Sequence, residues 1–146
     1  MANITGNDLV GESLKRIGVS NIFFIMGGPM QHAETACKNE GIRMIDVRHE
    51  QAAALSAQAY ARLKQQPAVC MAASGPGVIN LSTGLANALI DCAPVVAVGG
   101  SSAIGQYGRQ TFQEIDQVAL LKPCTKWAER VIDIRRIPEM VNTAFQ

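Results

Sequence analysis

Short, mostly apolar runs, each followed by a tight turn and then by a helical pattern, restrict this chain to few folds. Four such runs occupy residues 22–26, 44–47, 69–73 and 95–98. Runs of this length are typical of strands that are buried on both faces of a sheet. Strands that alternate with helices through short turns form right-handed crossovers. We therefore predict an α/β fold, a three-layer α/β/α domain with a mainly parallel sheet.

Helical patterns fill the intervals between these strands. The first helix is predicted to begin at Thr5, where Asp8 completes a capping-box-like start, and to end at Gly18. The further predicted helices span residues 30–39, 50–64, 79–90, 116–121 and 138–146. A polar loop is expected at residues 103–113, and a strand-like stretch at residues 126–131 precedes the final helix. These helices are expected to cover both faces of the sheet.

The composition limits the class of protein. With 146 residues, of which 48% are hydrophobic, the chain suits one domain spanning residues 1–146. Lysine and arginine number 13 against 12 acidic residues and form no basic block, so we expect no nucleic-acid partner. No apolar run approaches the ~20 residues of a membrane-spanning helix, and residues 1–7 lack the pattern of an export signal. We expect a cytoplasmic protein whose partner is a small molecule or another protein.

The cysteines and histidines favour neither a disulfide scaffold nor a metal site. The four cysteines lie far apart in the sequence and form no C-x-x-C pair, as in a reduced protein: Cys37, Cys70, Cys92 and Cys124. His32 and His49 stand outside any spaced cluster of carboxylates or cysteines. We therefore predict no metal site built from the residues of this chain.

The turns that follow the predicted strands mark the expected ligand crevice, because the carboxyl ends of parallel strands meet at one edge of the sheet. These turns are Gly27-Gly28-Pro29, Arg48-His49-Glu50, Ser74-Gly75-Pro76-Gly77 and Gly99-Gly100-Ser101. Two phosphate-binding patterns fail on spacing. Asn80 stands where the third glycine counted from Gly75 would fall, and no G-x-x-x-x-G-K-[ST] occurs. Nucleotide sites of those kinds are therefore not expected.

A hydrolase hypothesis starts from Ser101, since residues 99–103 approximate the G-x-S-x-G turn of a nucleophilic serine. The final glycine of that pattern is missing. Both histidines also precede the serine, whereas the hydrolase order places the histidine after it. We therefore interpret Ser101 as a turn or helix-capping residue.

Glu50 is the remaining candidate for chemistry. A carboxylate at a helix start complements the helix dipole by ~0.3 to 1 kcal/mol and needs no further function. Its setting suggests more, because it ends a turn on the crevice side and leads into small residues, Ala52, Ala53 and Ala54, which let another surface approach closely. Taken alone, Glu50 leaves both interpretations open.

A series of motifs along nearly the whole chain resembles the pyrimidine-binding domain of thiamine-diphosphate-dependent enzymes. The motifs are Arg48-His49-Glu50-Gln51-Ala52-Ala53, Ser74-Gly75-Pro76-Gly77, Asn80, Gly84, Ala86-Asn87-Ala88, Pro94-Val95-Val96-Ala97-Val98, Gly100, Phe112-Gln113-Glu114, Asp116-Gln117 and Thr125-Lys126-Trp127. Within that family the chain is similar to the acetolactate-synthase-like branch, which includes benzaldehyde lyase, 2-hydroxyacyl-CoA lyase and oxalyl-CoA decarboxylase. Two departures bear on mechanism. The turn where benzaldehyde lyase has a histidine is Gly27-Gly28-Pro29, and the paired histidines of pyruvate decarboxylases are absent, so a proton shuttle built on them is not expected.

The resemblance implies thiamine diphosphate as cofactor and a role for each matching residue. Glu50 matches the glutamate that bonds N1′ of the cofactor's aminopyrimidine and activates it, and Gln113 would face the substrate. The implied cofactor-binding residues are Gly27, Gly28, Pro29, Ser74, Gly75 and Asn80. The implied enzyme is a carbon–carbon lyase, decarboxylase or carboligase acting on a 2-keto acid, a 2-hydroxy ketone or a 2-hydroxyacyl-CoA.

The resemblance also implies parts outside this chain. Family members bind the diphosphate through Mg²⁺ on a separate domain with a Gly-Asp-Gly motif, which does not occur here. Family active sites form between the pyrimidine domain of one subunit and the diphosphate-binding domain of another, so a homo-oligomer, dimer or tetramer, is expected. We expect the sheet to lack its last core strand and the chain alone to be inactive, as the N-terminal part of a longer enzyme or the small subunit of a split decarboxylase. The alternative is a catalytically silent interaction module. Any CoA or FAD site would lie outside this chain, and nothing in the sequence indicates FAD.

Overall fold

The computed structural model describes residues 4–146 and confirms the α/β class. Within these residues, one sheet is formed by β1 (Asn21–Phe24), β2 (Arg43–Asp46), β3 (Ala68–Ala72) and β4 (Val95–Gly99). The strand order is β2-β1-β3-β4, and every neighbouring pair is parallel. Each crossover contains at least one helix, as parallel neighbours require.

The α-helices of the described chain are α1 (Gly6–Ile17), α2 (Gln31–Asn39), α3 (Glu50–Lys64), α4 (Pro76–Asn80), α5 (Ser82–Ile90), α6 (Gln117–Leu121) and α7 (Ile137–Ala144). Thr5 forms the predicted capping box with Asp8, and Gly18 ends α1 in the left-handed conformation at φ 96°. The bounds of α3 agree with the prediction. None of these helices is long and apolar enough to cross a membrane.

Apolar clusters on the two faces of the sheet make the predicted three layers. One cluster joins α3 and α5 to the sheet and includes Ala53, Ala57, Ala61, Leu81 and Leu85. The other joins α1 and α2 to the opposite face and includes Leu14, Ala33, Cys37, Ile22 and Met71, with Val141 of α7 packed against it. All five residues of β3 are buried. The sheet is thus covered on both sides, which confirms the α/β/α arrangement.

The prediction of a strand-like stretch at residues 126–131 is wrong. Within the described chain this segment pairs with no strand, and Trp127 and Val131 are 41% and 37% exposed. Arg130 instead ties it to an earlier loop, since its Nη2 donates to the Ser102 carbonyl oxygen at 2.7 Å. An apolar pattern permits a strand, but the strand forms only where a hydrogen-bonded neighbour lies alongside.

The helix predicted over residues 79–90 consists of two helices. α4 begins earlier, at Pro76, whose constrained φ suits the first helical position. Between α4 and α5 the Leu81 amide donates to the carbonyl oxygen of Val78, three residues back, at 3.1 Å. The side chain of Leu81 is fully buried at this tightened turn. The junction therefore follows from a core contact rather than from a local breaker in the sequence.

Glu34 is a buried acid on α2. Its side chain is 4% exposed, and among residues 4–146 neither carboxylate oxygen has a hydrogen-bonding partner. Burial raises the pKa of Glu34 to about 7, and the nearby Asp46 carboxylate adds to the effect. Burial favours the neutral acid over the carboxylate, because an ion loses its hydration in such a site.

We expect the free energy of unfolding to decrease as pH rises through the pKa of Glu34. In the unfolded chain this pKa returns to its ordinary value of 4.5, so between that pH and about 7 the folded state keeps a proton that the unfolded state has lost. Glu34→Gln stays neutral and should raise the free energy of unfolding at about pH 8 by about 1 to 2 kcal/mol. Urea denaturation across this range measures the change, with exposed Glu40→Gln as the control. Equal pH dependence in both variants would contradict the expectation.

Candidate active site

The crevice lies where β1 and β3 are neighbours. From β1 the chain crosses to β2 on one side, and from β3 it crosses to β4 on the other side. Ligands of open α/β sheets bind at such a switch point, beyond the carboxyl ends of the strands. The predicted site residues belong to the turns, helices and loop that follow the strands at this edge. The strand order thus agrees with the predicted location of the crevice.

The turns after β1, β3 and β4 contact one another at glycines. A Cβ on Gly27 would lie 2.3 Å from the Cβ of Ala73, just after β3. A Cβ on Gly100 would lie 3.0 Å from the Cβ of Pro29. Gly28 is different, because nothing lies within 4 Å of the position its Cβ would take. Gly27 and Pro29 therefore help to join the turns, whereas Gly28 borders open space.

Glu50, the first residue of α3, is partly buried as a residue, and its carboxylate accepts a surface hydrogen bond from a neutral amide. Asn80, the last residue of α4, donates from Nδ2 to Glu50 Oε2 at 3.0 Å. A Cβ on Gly77 would lie 3.2 Å from Oε1, so glycine keeps room beside that oxygen. Among residues 4–146, Glu50 takes part in no ion pair. Asn80 therefore engages Oε2, while Oε1 stays available to a ligand.

Gln113 lies on the loop after β4 and contacts the turn after β3. Ser74, 2% exposed, donates from Oγ to Gln113 Oε1 at 3.3 Å. The backbone oxygen of Gln113 covers Gly75, where a Cβ would lie only 2.0 Å from it. Gln113 itself has a left-handed backbone with φ 58°. The structure thus brings Ser74, Gly75 and Gln113 together.

The loop over residues 101–116, which carries Gln113, is braced by two charged side chains, one within it and one from a later segment. Glu114 accepts a hydrogen bond from the Gly108 amide, and this bond is the main reason that the pKa of the Glu114 carboxyl is lowered. The Arg130 guanidinium lies 3.7 Å from the centroid of the Tyr107 ring, within cation–π range. These contacts give the loop a defined shape.

The predicted residues form two groups joined by α4. Glu50 and Asn80 make one group, while Ser74, Gly75 and Gln113 make the other. Gly75 caps the start of α4 and Asn80 ends it. The short helix therefore sets the distance between the carboxylate and the glutamine loop.

One residue of this site was missed among the predicted site residues, namely Gln117 at the start of α6. Its side chain bonds to the backbone of Gly75 and of Gly100. Gln117 stands within a motif that carries the family resemblance, yet its spacing gives no sign of these contacts. They depend on the turns after β3 and β4 lying side by side.

Two cavities flank β4 rather than the crevice. One, of about 660 Å³, lies between α5, β4 and the C-terminal segment; the other, of about 390 Å³, lies between α1, β4 and α7. Neither is lined by Glu50, Ser74 or Gln113. Both border the outer edge of the sheet, since β4 has a strand neighbour on one side only. The predicted site is instead an open surface at the carboxyl ends of the strands.

A parallel sheet with joined glycine turns and a carboxylate at its switch point defines an α/β domain with a candidate ligand site at that edge. Comparison with protein families identifies which one. The family model described as "Thiamine pyrophosphate enzyme, N-terminal TPP binding domain" matches residues 4–120. The chain belongs to this family, as the motif series predicted.

The similar proteins include acetolactate synthases and a 2-hydroxyacyl-CoA lyase. The chain is 40% identical over 141 residues to acetolactate synthase of Bacillus subtilis (strain 168), covering 97% of the chain and 25% of that protein. It is 36% identical over 140 residues to 2-hydroxyacyl-CoA lyase of Arabidopsis thaliana, covering 96% and 24%. It is 38% identical over 142 residues to the acetolactate synthase isozyme 2 large subunit of Escherichia coli (strain K12), covering 97% and 26%. The chain thus spans about a quarter of the length of these relatives and is a thiamine-pyrophosphate-binding domain of their type.

Proposed function

We propose that this chain is the pyrimidine-binding part of a thiamine-diphosphate-dependent carbon–carbon lyase, decarboxylase or carboligase, in which Glu50 activates the cofactor. The observation that carries the proposal is the Glu50 carboxylate itself. It lies at the crevice edge, on a partly buried residue, with Oε2 engaged by Asn80 and with room beside Oε1. A carboxylate at a helix start that served only the helix dipole would need neither the amide partner nor the glycine at position 77.

The residues at the crevice fit an aminopyrimidine. Oε1 of Glu50 is available to N1′, and a proton shared between the two atoms would be held by a hydrogen bond worth about 1.5 to 3 kcal/mol. Asn80 keeps the carboxylate from rotating away, because it donates to Oε2 at 3.0 Å. When bound, thiamine diphosphate would supply a nucleophilic carbon for carbonyl groups and a thiazolium ring as electron sink.

The other residues would shape the space around the reacting atoms. In the turn Gly27-Gly28-Pro29, Gly28 would let bare backbone approach the thiazolium because it borders open space, while Gly27 and Pro29 would hold the turn against its neighbours. Ser74 and Gly75 would line the pyrimidine pocket. Gln113 would face the substrate, with Oε1 engaged by Ser74 and its amide nitrogen left to donate.

The complete enzyme is proposed to supply the remaining parts. Mg²⁺ and the diphosphate would bind to a separate domain of another subunit, and among residues 4–146 no cluster of three or more His, Cys, Asp or Glu side chains is suited to a metal. That arrangement makes the enzyme a homo-oligomer, either dimer or tetramer. All four cysteines are free thiols, which supports a reducing compartment such as the cytoplasm. The substrate would be a 2-keto acid, a 2-hydroxy ketone or a 2-hydroxyacyl-CoA.

The proposed function predicts a strict cofactor requirement in the complete enzyme that contains this domain. After treatment with a chelator and gel filtration, turnover of pyruvate, benzoin or a 2-hydroxyacyl-CoA should vanish. It should return only when thiamine diphosphate and Mg²⁺ are both added, because each is needed for the other to bind. Turnover that persists without thiamine diphosphate would contradict the proposal. Binding of thiamine diphosphate without turnover of any of these substrates would favour a silent interaction module instead.

A further inference from the structure

Gln117 joins two turns that lie far apart in the chain. Its side chain is half-buried at the first position of α6. Oε1 accepts a hydrogen bond from the Gly75 amide at 2.9 Å, and Nε2 donates to the Gly100 carbonyl oxygen at 2.7 Å. Both distances lie in the range of strong N–H···O bonds. One side chain therefore satisfies a backbone donor of the turn after β3 and a backbone acceptor of the turn after β4.

The two glycines that Gln117 joins are crowded positions of the crevice. A Cβ on Gly100 would lie 3.0 Å from the Cβ of Pro29 and 3.1 Å from the backbone nitrogen of Ser74. Gly75 lies directly beneath the backbone oxygen of Gln113. A tether between Gly75 and Gly100 thus keeps the turns after β1, β3 and β4 in one arrangement under the loop.

Gln113 lies within a turn that the Glu114 amide closes on the Thr111 carbonyl oxygen at 3.0 Å. Its φ of 58° lies in the left-handed region, which residues with side chains adopt mainly in turns. Gln117 follows four residues later and anchors the far end of the loop, next to Asp116, which caps α6. Without that anchor, the turn at residues 111–114 would be less firmly held against Ser74, even though its own hydrogen bonds persist.

We propose that Gln117 is a positioning residue that clamps the loop over residues 101–116 onto the turn at Ser74 and Gly75 and so holds Gln113 toward the substrate. This inference rests on the proposed function, which gives Gln113 its place. Gln117 is not a catalytic residue, since its two polar atoms are engaged by backbone. Glu50 and Asn80 lie at the other end of α4, which the buried Val78 anchors in the core, so we expect cofactor activation to survive loss of the clamp.

The clamp requires a donor and an acceptor in one side chain. Leucine has neither, so Gln117→Leu removes both hydrogen bonds at similar size. An ionised glutamate can accept the hydrogen bond from the Gly75 amide, but it has no hydrogen to donate to the Gly100 carbonyl oxygen. The protonated acid can do both. Gln117→Glu should therefore be competent at low pH and lose competence as pH rises.

The first test measures the clamp in the complete enzyme without cofactor, by amide hydrogen exchange with mass spectrometry. Gln117→Leu should speed the exchange of peptides covering residues 101–116 about tenfold, while peptides of α3 and β3 keep their wild-type rates. Exchange at the wild-type rate throughout the loop would overturn the inference. Faster exchange of the whole domain would also overturn it, because Gln117 would then act on global stability.

The second test measures turnover and cofactor activation in the loaded enzyme. Gln117→Leu should lower kcat about 10- to 100-fold, while hydrogen–deuterium exchange at C2 of thiamine diphosphate stays within about threefold of the wild type. Gln117→Glu should show a fall in kcat with rising pH that the wild type lacks. Gln66→Glu, an exposed glutamine after α3, is the control and should keep the wild-type pH profile.

The two proposals fail in different ways. A wild-type enzyme without C2 exchange or cofactor-dependent turnover would remove the proposed function, whereas the amide exchange of the loop would still decide whether the clamp exists. Wild-type kcat in Gln117→Leu, with normal C2 exchange, would overturn the positioning role alone. A loss of C2 exchange equal to the loss of kcat would also overturn it, since Gln117 would then act on the cofactor.

Discussion

Glu50→Gln is expected to slow hydrogen–deuterium exchange at C2 of bound thiamine diphosphate about 100- to 10,000-fold in the complete enzyme, with a matching loss of turnover. Glutamine keeps the shape of the side chain and can still accept the Asn80 hydrogen bond, which is 3.0 Å long in the structure. A neutral amide, unlike a carboxylate, cannot share a proton with N1′ of the cofactor. Exchange measured by rapid quench and nuclear magnetic resonance checks the result without any substrate.

The control for Glu50 is a second carboxylate in the first turn of a helix. Glu139 occupies that position on α7, where it pairs with Arg136 on the surface. Glu139→Gln should leave C2 exchange unchanged, and both substitutions should alter the free energy of unfolding by no more than about 1 kcal/mol. An unchanged exchange rate in Glu50→Gln would remove Glu50 from the mechanism, and only its place at the helix start would remain.

Gly75→Ala is expected to cost about 2 to 4 kcal/mol of stability and most of the turnover. Gly75 has φ 58° and ψ −115°, a conformation open almost exclusively to glycine, so alanine would strain the backbone. Its Cβ would also lie 2.0 Å from the backbone oxygen of Gln113, which has to move. Stability and substrate turnover should therefore fall together. Thermal denaturation and steady-state kinetics measure the two effects.

Gly105→Ala is the matched control for Gly75→Ala. Gly105 lies on the loop over residues 101–116, and nothing lies within 4 Å of the position its Cβ would take. Alanine at this position should change the free energy of unfolding by no more than about 0.5 kcal/mol. If the two alanine variants proved equally stable and equally active, the close packing of the Gln113 loop on the turn after β3 would be refuted.

Much of the fold could be predicted because its signals are local. The capping box at Thr5, the terminating Gly18 and the bounds of α3 follow from side chains within a few residues of each helix end. The four strands follow from apolar runs of the right length, although β2 at the edge of the sheet has no buried residue. Errors occurred where a distant partner decides the outcome. Residues 126–131 have a strand-like pattern without a neighbouring strand, and the junction of α4 and α5 at Leu81 is set by the core.

The turns that form the candidate site could be predicted from the sequence, but the contacts between their side chains could not. Glu50 and Gln113 were found because they stand in motifs, and glycines were found because the turns need them. Only the tertiary structure shows that Glu50 pairs with Asn80, 30 residues away. It likewise pairs Ser74 with Gln113, 39 residues away. Side-chain spacing along the chain carries no information about such pairs, since they depend on how crossovers place the turns.

The amino-acid sequence by itself determined the α/β class, the family and the candidate carboxylate, because apolar periodicity, helix caps and motif residues act over short stretches of chain. Only the tertiary structure decided which turns meet. The order β2-β1-β3-β4 puts the ends of β3 and β4 side by side, and the Gln117 amide then spans from Gly75 to Gly100. Hydrogen bonds of this kind form only when β3 and β4 lie side by side, since their partners are separated by 42 and 17 residues in the chain.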